Sequence, residues 1–145
     1  MKTVNKIKLV FPSQSANEGV ARTADAAFLV PLDPTLEELS DIKVAVSEAV
    51  TNCIVHAYPD TIGTITLTAT YDSDRVVHIR IRDTGTGIED VEQAMTPMFS
   101  TVGGERAGLG FAVMESFMNT VKVRSRVGKG TTVTMSKRLS CRAKS

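Results

Sequence analysis

The sequence predicts an α+β sandwich in which one largely antiparallel sheet is covered on a single face by helices. Three observations lead there. Two helical apolar patterns follow one another near the start of the chain. Two pairs of runs with strict two-residue alternation come later, each joined by a turn. Helices and strands also fall in blocks, in the order βααββ, loop, αββ, instead of alternating as a parallel βαβ sheet requires. The 145 residues suffice for one domain with its own core. That domain is expected over 1–139, with 140–145 a short basic tail.

Ile7 to Phe11 reads as a first strand closed by Pro12. A helix is expected from about Asn17 to Leu29, with Ser15 as N-cap and Glu18 three residues on. Pro31 and Pro34 separate it from a second helix, which Thr35 and Glu38 open as a capping box and Tyr58-Pro59-Asp60 closes, so that it reaches about Ala57. From Gly63 to Tyr71 the period is two: Ile65, Leu67, Ala69 and Tyr71 share one face and Thr64, Thr66, Thr68 and Thr70 the other. After a turn at 71–75, Val77, Ile79 and Ile81 alternate with His78, Arg80 and Arg82, which makes a hairpin with one apolar and one solvated face. A short helix is expected from Glu89 to Met95, irregular chain from Pro97 to Ala107, and a helix from Gly108 to Met118. Val121, Val123 and Val127 then alternate with Lys122, Arg124 and Arg126, and a Gly-Lys-Gly turn leads to a last strand, Thr131 to Leu139.

Composition narrows the function classes. Seventeen basic and sixteen acidic residues give a net charge of +1, so the overall balance offers no electrostatic case for nucleic acid or an anionic membrane, although a local basic patch is compatible with it. There is no apolar run of membrane-spanning length, and the apolar run at the N-terminus is too short for a signal peptide. Cys53 and Cys141 have no partners at metal spacing and make no disulfide framework, which points to a reduced, cytoplasmic protein.

On the second helix, Leu39, Ile42, Val46, Ala49, Val50, Cys53, Ile54 and Ala57 form the apolar face. Glu48, Asn52 and His56 follow at spacing four on one stripe away from its centre. The plain reading of such a stripe is a solvated face, yet an acid followed by an amide and an imidazole is not the usual Lys/Glu pairing. Asp83 has the parity of Ile79 and Ile81 and so points inward at a strand end. There its carboxylate needs donors, either turn amides or a ligand such as the exocyclic amine of a purine. Gly85 and Gly87 leave room for a close approach to the backbone. Thr131 also points inward, with Val133 and Met135. The cluster Gly103-Gly104-Glu105-Arg106-Ala107-Gly108-Leu109-Gly110 leads into a helix, a place suited to phosphate, with Arg106 alongside. It matches neither the P-loop nor the dinucleotide fingerprint.

An Asp-Thr-Gly at 83–85 also invites an aspartic protease reading. That chemistry needs two carboxylates sharing a proton, hence a symmetric dimer about Asp83. It leaves the Glu48 stripe without a role and sits poorly with three substantial helical segments.

Taken together, Glu48-x-x-x-Asn52, Asp83-x-Gly85-x-Gly87, Gly108-Leu109-Gly110 and Gly130-Thr131-Thr132 resemble, in order, the four boxes of the GHKL ATPase superfamily, which includes gyrases, mismatch-repair ATPases and histidine kinases. The phrases LDPTLEEL, VSEAVTNCIVHAY, GIEDVEQAMTPMFST and GLGFAVMESFM are similar to the anti-sigma F factor family of endospore-forming bacteria, over nearly the whole chain. The resemblance implies an ATP- and Mg²⁺-dependent homodimer that inhibits a sporulation sigma factor and phosphorylates a serine of an anti-anti-sigma partner. It implies Glu48 as catalytic base, Asn52 as Mg²⁺ ligand and Asp83 as adenine reader. Gly85, Gly87, Ser100, Thr101, Arg106, Gly108, Leu109, Gly110 and Thr131 complete the ATP site, and Arg22 is a partner contact. Two alternatives remain: a non-catalytic nucleotide-gated binding module, and a histidine-kinase-like catalytic domain, for which the sequence shows no phosphoacceptor helix pair. One departure stands out. The family's lid reads Thr-Thr-Lys-Pro after its phenylalanine, whereas Phe99 is followed here by Ser-Thr-Val-Gly-Gly, about one residue shorter and without the lysine.

Overall fold

A computed structural model describes residues 2–95 and 105–140, with the backbone alone described for 105–109. Five strands form one antiparallel sheet: β1 (Thr3–Pro12), β2 (Thr64–Asp72), β3 (Val76–Asp83), β4 (Thr120–Arg126) and β5 (Gly130–Arg138), in the order β1-β2-β3-β5-β4. Among the described residues four α-helices accompany it: α1 (Ala16–Leu29), α2 (Leu36–Asn52), α3 (Val91–Met95) and α4 (Glu105–Phe117). The predicted α+β sandwich is the observed architecture.

The alternation on β2 and β3 places the core. Ile65, Leu67, Ala69, Tyr71, Val77, Ile79 and Ile81 are all buried, and they meet Ile42, Ala45, Val46, Ala49 and Val50 of α2. α2 packs between α1 and α4, so its broad apolar face is covered on three sides. Burial of this kind contributes ~1.5–3 kcal/mol per large aliphatic side chain, and it outweighs the modest helix propensity of the valines. The capping box is as read: Thr35 Oγ1 accepts from Glu38 N at 3.0 Å, and Glu38 Oε1 accepts from Thr35 N at 2.9 Å. The other oxygen of Glu38 accepts from Ser140 N at 2.8 Å and ties down the start of the tail.

Several boundaries differ from the sequence reading. β1 begins at Thr3 rather than Ile7, because an edge strand tolerates the solvated Lys6 and Lys8. Ser15 occupies the N-cap of α1 in an αR conformation and makes no side-chain cap bond. Glu18 turns instead to the Ser47 hydroxyl on α2, which donates to it. α2 ends at Asn52 and is continued by one π turn, Cys53–Ala57, closed by Tyr58 N donating to Cys53 O at 3.1 Å. α3 starts at Val91, since Asp90 caps it through Gln93 N. α4 starts at Glu105, so Glu105 to Ala107 are helical and not irregular. Glu105, Ala107 and Leu109 favour helix enough to offset two glycines at about 1 kcal/mol each. Val127 lies in the β4–β5 turn, 67% exposed, because the strand stops at Arg126 before Gly128 at φ +77°.

Candidate nucleotide site

A cavity of about 180 Å³ lies between the end of α2 and the C-terminal end of β3. Ala49, Ala57, Ile88, Phe111 and Val133 give it apolar walls, and Asn52, Cys53, His56, Asp83 and Thr131 bring the polar groups. This is the ordinary composition of a small-ligand site: a largely apolar cleft with a few converging polar atoms.

Asp83 is 4% exposed and holds its place through Oδ1, which accepts from Gly85 N at 3.0 Å and from Thr131 N at 3.2 Å. Oδ2 accepts from the Cys53 thiol at 3.5 Å. One oxygen therefore caps the turn, and the other is left at the cavity with a weak sulfur donor. Burial pushes the Cys53 thiol well above its ordinary range, and the neighbouring Asp83 carboxylate adds to that.

The glycines serve a purpose that the sequence did not show. A Cβ on Gly85 would stand 2.3 Å from the carbonyl oxygen of Ala57, and one on Gly87 2.1 Å from that of Arg126. The close approach is made by the chain itself, which draws the π turn, the 84–88 loop and the β4–β5 turn together. Thr86 N donates to Ala57 O at 3.2 Å and Gly128 N to Thr86 O at 2.8 Å. The loop so pinned forms one wall of the cavity.

The helical stripe is only partly exposed. Both polar atoms of the Asn52 carboxamide are buried, with no hydrogen-bond partner among the described residues, a costly state unless a ligand or ion completes it. His56, partly buried, lines the same cavity. Glu48 is partly buried one turn earlier. A Cβ placed on Gly110 would lie 3.2 Å from both Asn52 carboxamide atoms and from Glu48 Oε2, so α4 crosses α2 directly over these two side chains. A buried amide oxygen with a carboxylate alongside fits Mg²⁺, which takes oxygen donors and keeps most of its coordination for water and phosphate. Among the described residues no cluster of three or more His, Cys, Asp or Glu forms a closed metal cage.

Arg22 lies outside the cavity. Its Nε is 3.6 Å from Glu18 Oε2, and both residues line a surface groove between α1 and α2 that also reaches Lys43, Ser47 and Glu48. Gly108, Leu109 and Arg106 fall within α4 and not on a turn before it; the side chains of Arg106 and Leu109 lie outside the described residues, as do Ser100, Thr101 and the rest of the shortened lid.

Two further residues, Ser125 and Tyr58, hold the site. Ser125 Oγ accepts from Ile88 N at 2.7 Å, donates to Gly130 O at 3.0 Å and contacts Thr131 Oγ1 at 2.7 Å. The available signal was a polar residue at the inward parity of Val121 and Val123. Tyr58 Oη accepts from Thr84 N at 2.7 Å and donates to Thr64 O at 2.8 Å, with its ring beneath Gly63; nothing local in the sequence marks it.

Residues 11–137 match the family profile described as the histidine kinase-like ATPase domain. An anti-sigma F factor of Caldanaerobacter subterraneus subsp. tengcongensis is 54% identical over 94% of this chain and 96% of that protein. The chain belongs to the anti-sigma F factor family of histidine kinase-like ATPase domains. The protein of the same name from Clostridium acetobutylicum is 48% identical over 94% of this chain and 95% of that one. Among solved structures, the RsbU and RsbW domains of a Mycobacterium tuberculosis protein superpose with a TM-score of 0.70 at 20% identity, covering 94% of this chain and 32% of that one, a likeness of fold. A blue-light activated histidine kinase from Erythrobacter litoralis gives a TM-score of 0.56 at 26% identity, over 74% of this chain and 32% of that one. No helix among the described residues is long and apolar enough to cross a membrane.

Proposed function

We propose that the chain is an ATP-dependent anti-sigma factor which, as a cytoplasmic homodimer, holds a sporulation sigma factor inactive and phosphorylates a serine of its anti-anti-sigma partner. The observation that carries this reading is the convergence on one cavity of Asp83 Oδ2, an acceptor held inward, and the buried, unpartnered carboxamide of Asn52, with Glu48 beside it under Gly110. Relatives named anti-sigma F factor over nearly the full chain support the choice of partners.

In this reading Asp83 accepts from the adenine amine and Thr131 backs the base. The apolar walls hold the ring away from water. Asn52 supplies an oxygen to Mg²⁺, which screens the phosphates when bound, while Gly85, Gly87, the lid residues Ser100 and Thr101, and Arg106, Gly108, Leu109 and Gly110 shape the rest of the nucleotide pocket. Glu48 takes the proton of the partner's serine as its oxygen attacks the γ-phosphorus of ATP, and ADP leaves with the bridging oxygen as that P–O bond breaks. The groove that joins Arg22 to Glu48 gives that serine a route to the base which does not pass through the adenine end.

Purified protein, radiolabelled ATP and the anti-anti-sigma partner test it. Wild type is expected to label one serine, and Glu48→Gln to bind Mg-ATP and sigma normally while labelling none. ATP binding without any transfer by wild type would sink the kinase half and leave a nucleotide-gated binding module. Transfer by Glu48→Gln at the wild-type rate would remove Glu48 from the role of base.

A further inference from the structure

The face of the sheet turned away from the helices carries its charge in an ordered pattern. Its outward positions are Lys6 and Lys8 on β1, Arg80 and Arg82 on β3, and Lys122, Arg124 and Arg126 on β4, all exposed. The strands between them, β2 and β5, present mainly hydroxyls, with Asp72 and Arg138 at their ends. All of these cations except Arg126, which pairs with Gly130, face a threonine, as in the line Lys8–Thr68–Arg80–Thr134–Lys122 and the parallel line Thr66–Arg82–Thr132–Arg124. Strands spaced ~4.8 Å apart set neighbouring cation rows about 10 Å from each other, near one Debye length at physiological salt. The rows repel weakly enough for the sheet to form, and each stays uncompensated. None of these seven side chains makes an ion pair among the described residues. Asp72, at the end of β2, lies 3.5 Å from His78.

We infer that this face docks an acidic segment of another protein. An ordinary solvated face mixes acids with bases, and this one sets its cations against a single acid, Asp72 at the end of β2, while the whole chain carries only +1. The other carboxylates are placed elsewhere, some of them at the two ends of the sheet: Asp74 with Asp72 at the β2–β3 turn, Glu89 and Asp90 beyond β3. A partner that follows the cations is thus bounded by acids after the length of one strand. That suits a short acidic stretch and disfavours a continuous polyanion such as duplex DNA. The face also has no aromatic side chain on which a single-stranded base would stack. A second copy of the same face would set cation rows against cation rows. Arginine forks pair with carboxylates in bidentate fashion and the threonine rows add neutral donors, while depressions of about 310 and 300 Å³ at Lys6–His78–Arg80 and at Arg82–Arg124–Arg126 give the side chains of such a segment somewhere to sit. The cation rows lie on the face of the sheet turned away from α2, although the depression at Arg82–Arg124–Arg126 also touches Asp83 and Thr131 at the edge of the nucleotide cavity; the inference does not depend on the proposed kinase chemistry.

The probe is a fluorescein-labelled Glu-Ser repeat peptide of about ten residues, one strand long, titrated with the full chain by anisotropy at low and physiological salt, with and without saturating Mg-ATP. Binding that weakens with salt and is unchanged by Mg-ATP is expected. Lys8→Glu/Arg80→Glu/Lys122→Glu, on one line across the sheet, is expected to weaken it roughly tenfold or more at an unchanged melting temperature. The neutral set Lys8→Gln/Arg80→Gln/Lys122→Gln gives a smaller loss and serves if the reversal variant fails to fold. Peptide affinity unchanged in both sets overturns the inference. So does tighter binding of a short duplex DNA of matched charge, or a chain dimer that either set of substitutions dissociates.

Discussion

The thiol of Cys53 donates to Asp83 Oδ2 at 3.5 Å, while Oδ1 of the same carboxylate accepts from the backbone amides of Gly85 and Thr131. The last residue of a strand is thus fixed by its own turn, by the next strand and by the turn that follows α2. A thiol so placed is a poor nucleophile, since the reactive species is the thiolate and both burial and the adjacent carboxylate disfavour it. In a Cys141→Ser background, Cys53 is expected to react with an aromatic disulfide reagent at pH 8 at least ~10-fold more slowly than a free thiol, with full reactivity on unfolding. A native rate equal to that of a free thiol would contradict the geometry.

Asp25 on α1 is fully buried, and neither carboxylate oxygen has a hydrogen-bond partner among the described residues. Burial raises its pKa from 3.8 to about 7. The native state then holds a proton that the unfolded state has lost, so stability is greatest below pH 4 as far as this group is concerned. It falls as pH rises through the window from about 4 to 7, by a total on the order of 4 kcal/mol. Asp25→Asn is expected to raise the melting temperature at pH 8 and to flatten this part of the pH profile. Equal pH profiles for wild type and variant in urea titrations would refute the assignment.

Gly85 and Gly110 lack a Cβ for different reasons, and alanine separates them. At Gly85 the added atom meets backbone at 2.3 Å, so Gly85→Ala is expected to cost ~1–3 kcal/mol in urea unfolding. At Gly110 the neighbours are the side-chain atoms of Asn52 and Glu48 at 3.2 Å. Gly110→Ala is expected to leave stability within about 1 kcal/mol, helped by the better helix former, while weakening Mg-ATP. Equal effects of the two substitutions on stability would show that the distinction is wrong.

Ser125 makes three polar contacts from one hydroxyl. Ser125→Ala leaves Ile88 N and Gly130 O without that partner and frees Thr131 Oγ1 to turn. A loss of ~1–3 kcal/mol of stability is expected, together with weaker ATP binding, measured by thermal melting and calorimetry. A variant with wild-type values in both would reduce Ser125 to a bystander.

The legible parts of the fold were those governed by local period and local capping. Alternation on β2 and β3 gave the buried face and the inward direction of Asp83; spacing four put Glu48 and Asn52 together on α2, with His56 following in the π turn; Thr35 and Glu38 announced their helix start. What escaped depends on partners distant in the chain. Ser15 and Glu18 look like the same capping box, but Ser47, 29 residues on, takes Glu18. Gly85 and Gly87 read as space for a ligand, whereas the atoms that exclude a side chain belong to Ala57 and Arg126. The π turn at 53–57 and the roles of Tyr58 and Ser125 follow from the docking of the 84–88 loop, which no short-range pattern encodes. Asp25 broke the apolar pattern of α1 in plain view, yet only the packing of α1 on α2 shows that it is buried.

The most direct test is calorimetric titration of the wild type and Asp83→Asn with Mg-ATP and Mg-GTP. The wild type is expected to bind ATP in preference to GTP, and Asp83→Asn, still folded, to lose about tenfold or more in ATP affinity together with that preference, as expected when a charged acceptor to the base is replaced. An Asp83→Asn variant with full ATP affinity and unchanged base selectivity would show that the cavity at the end of β3 is not an adenine site read by this carboxylate.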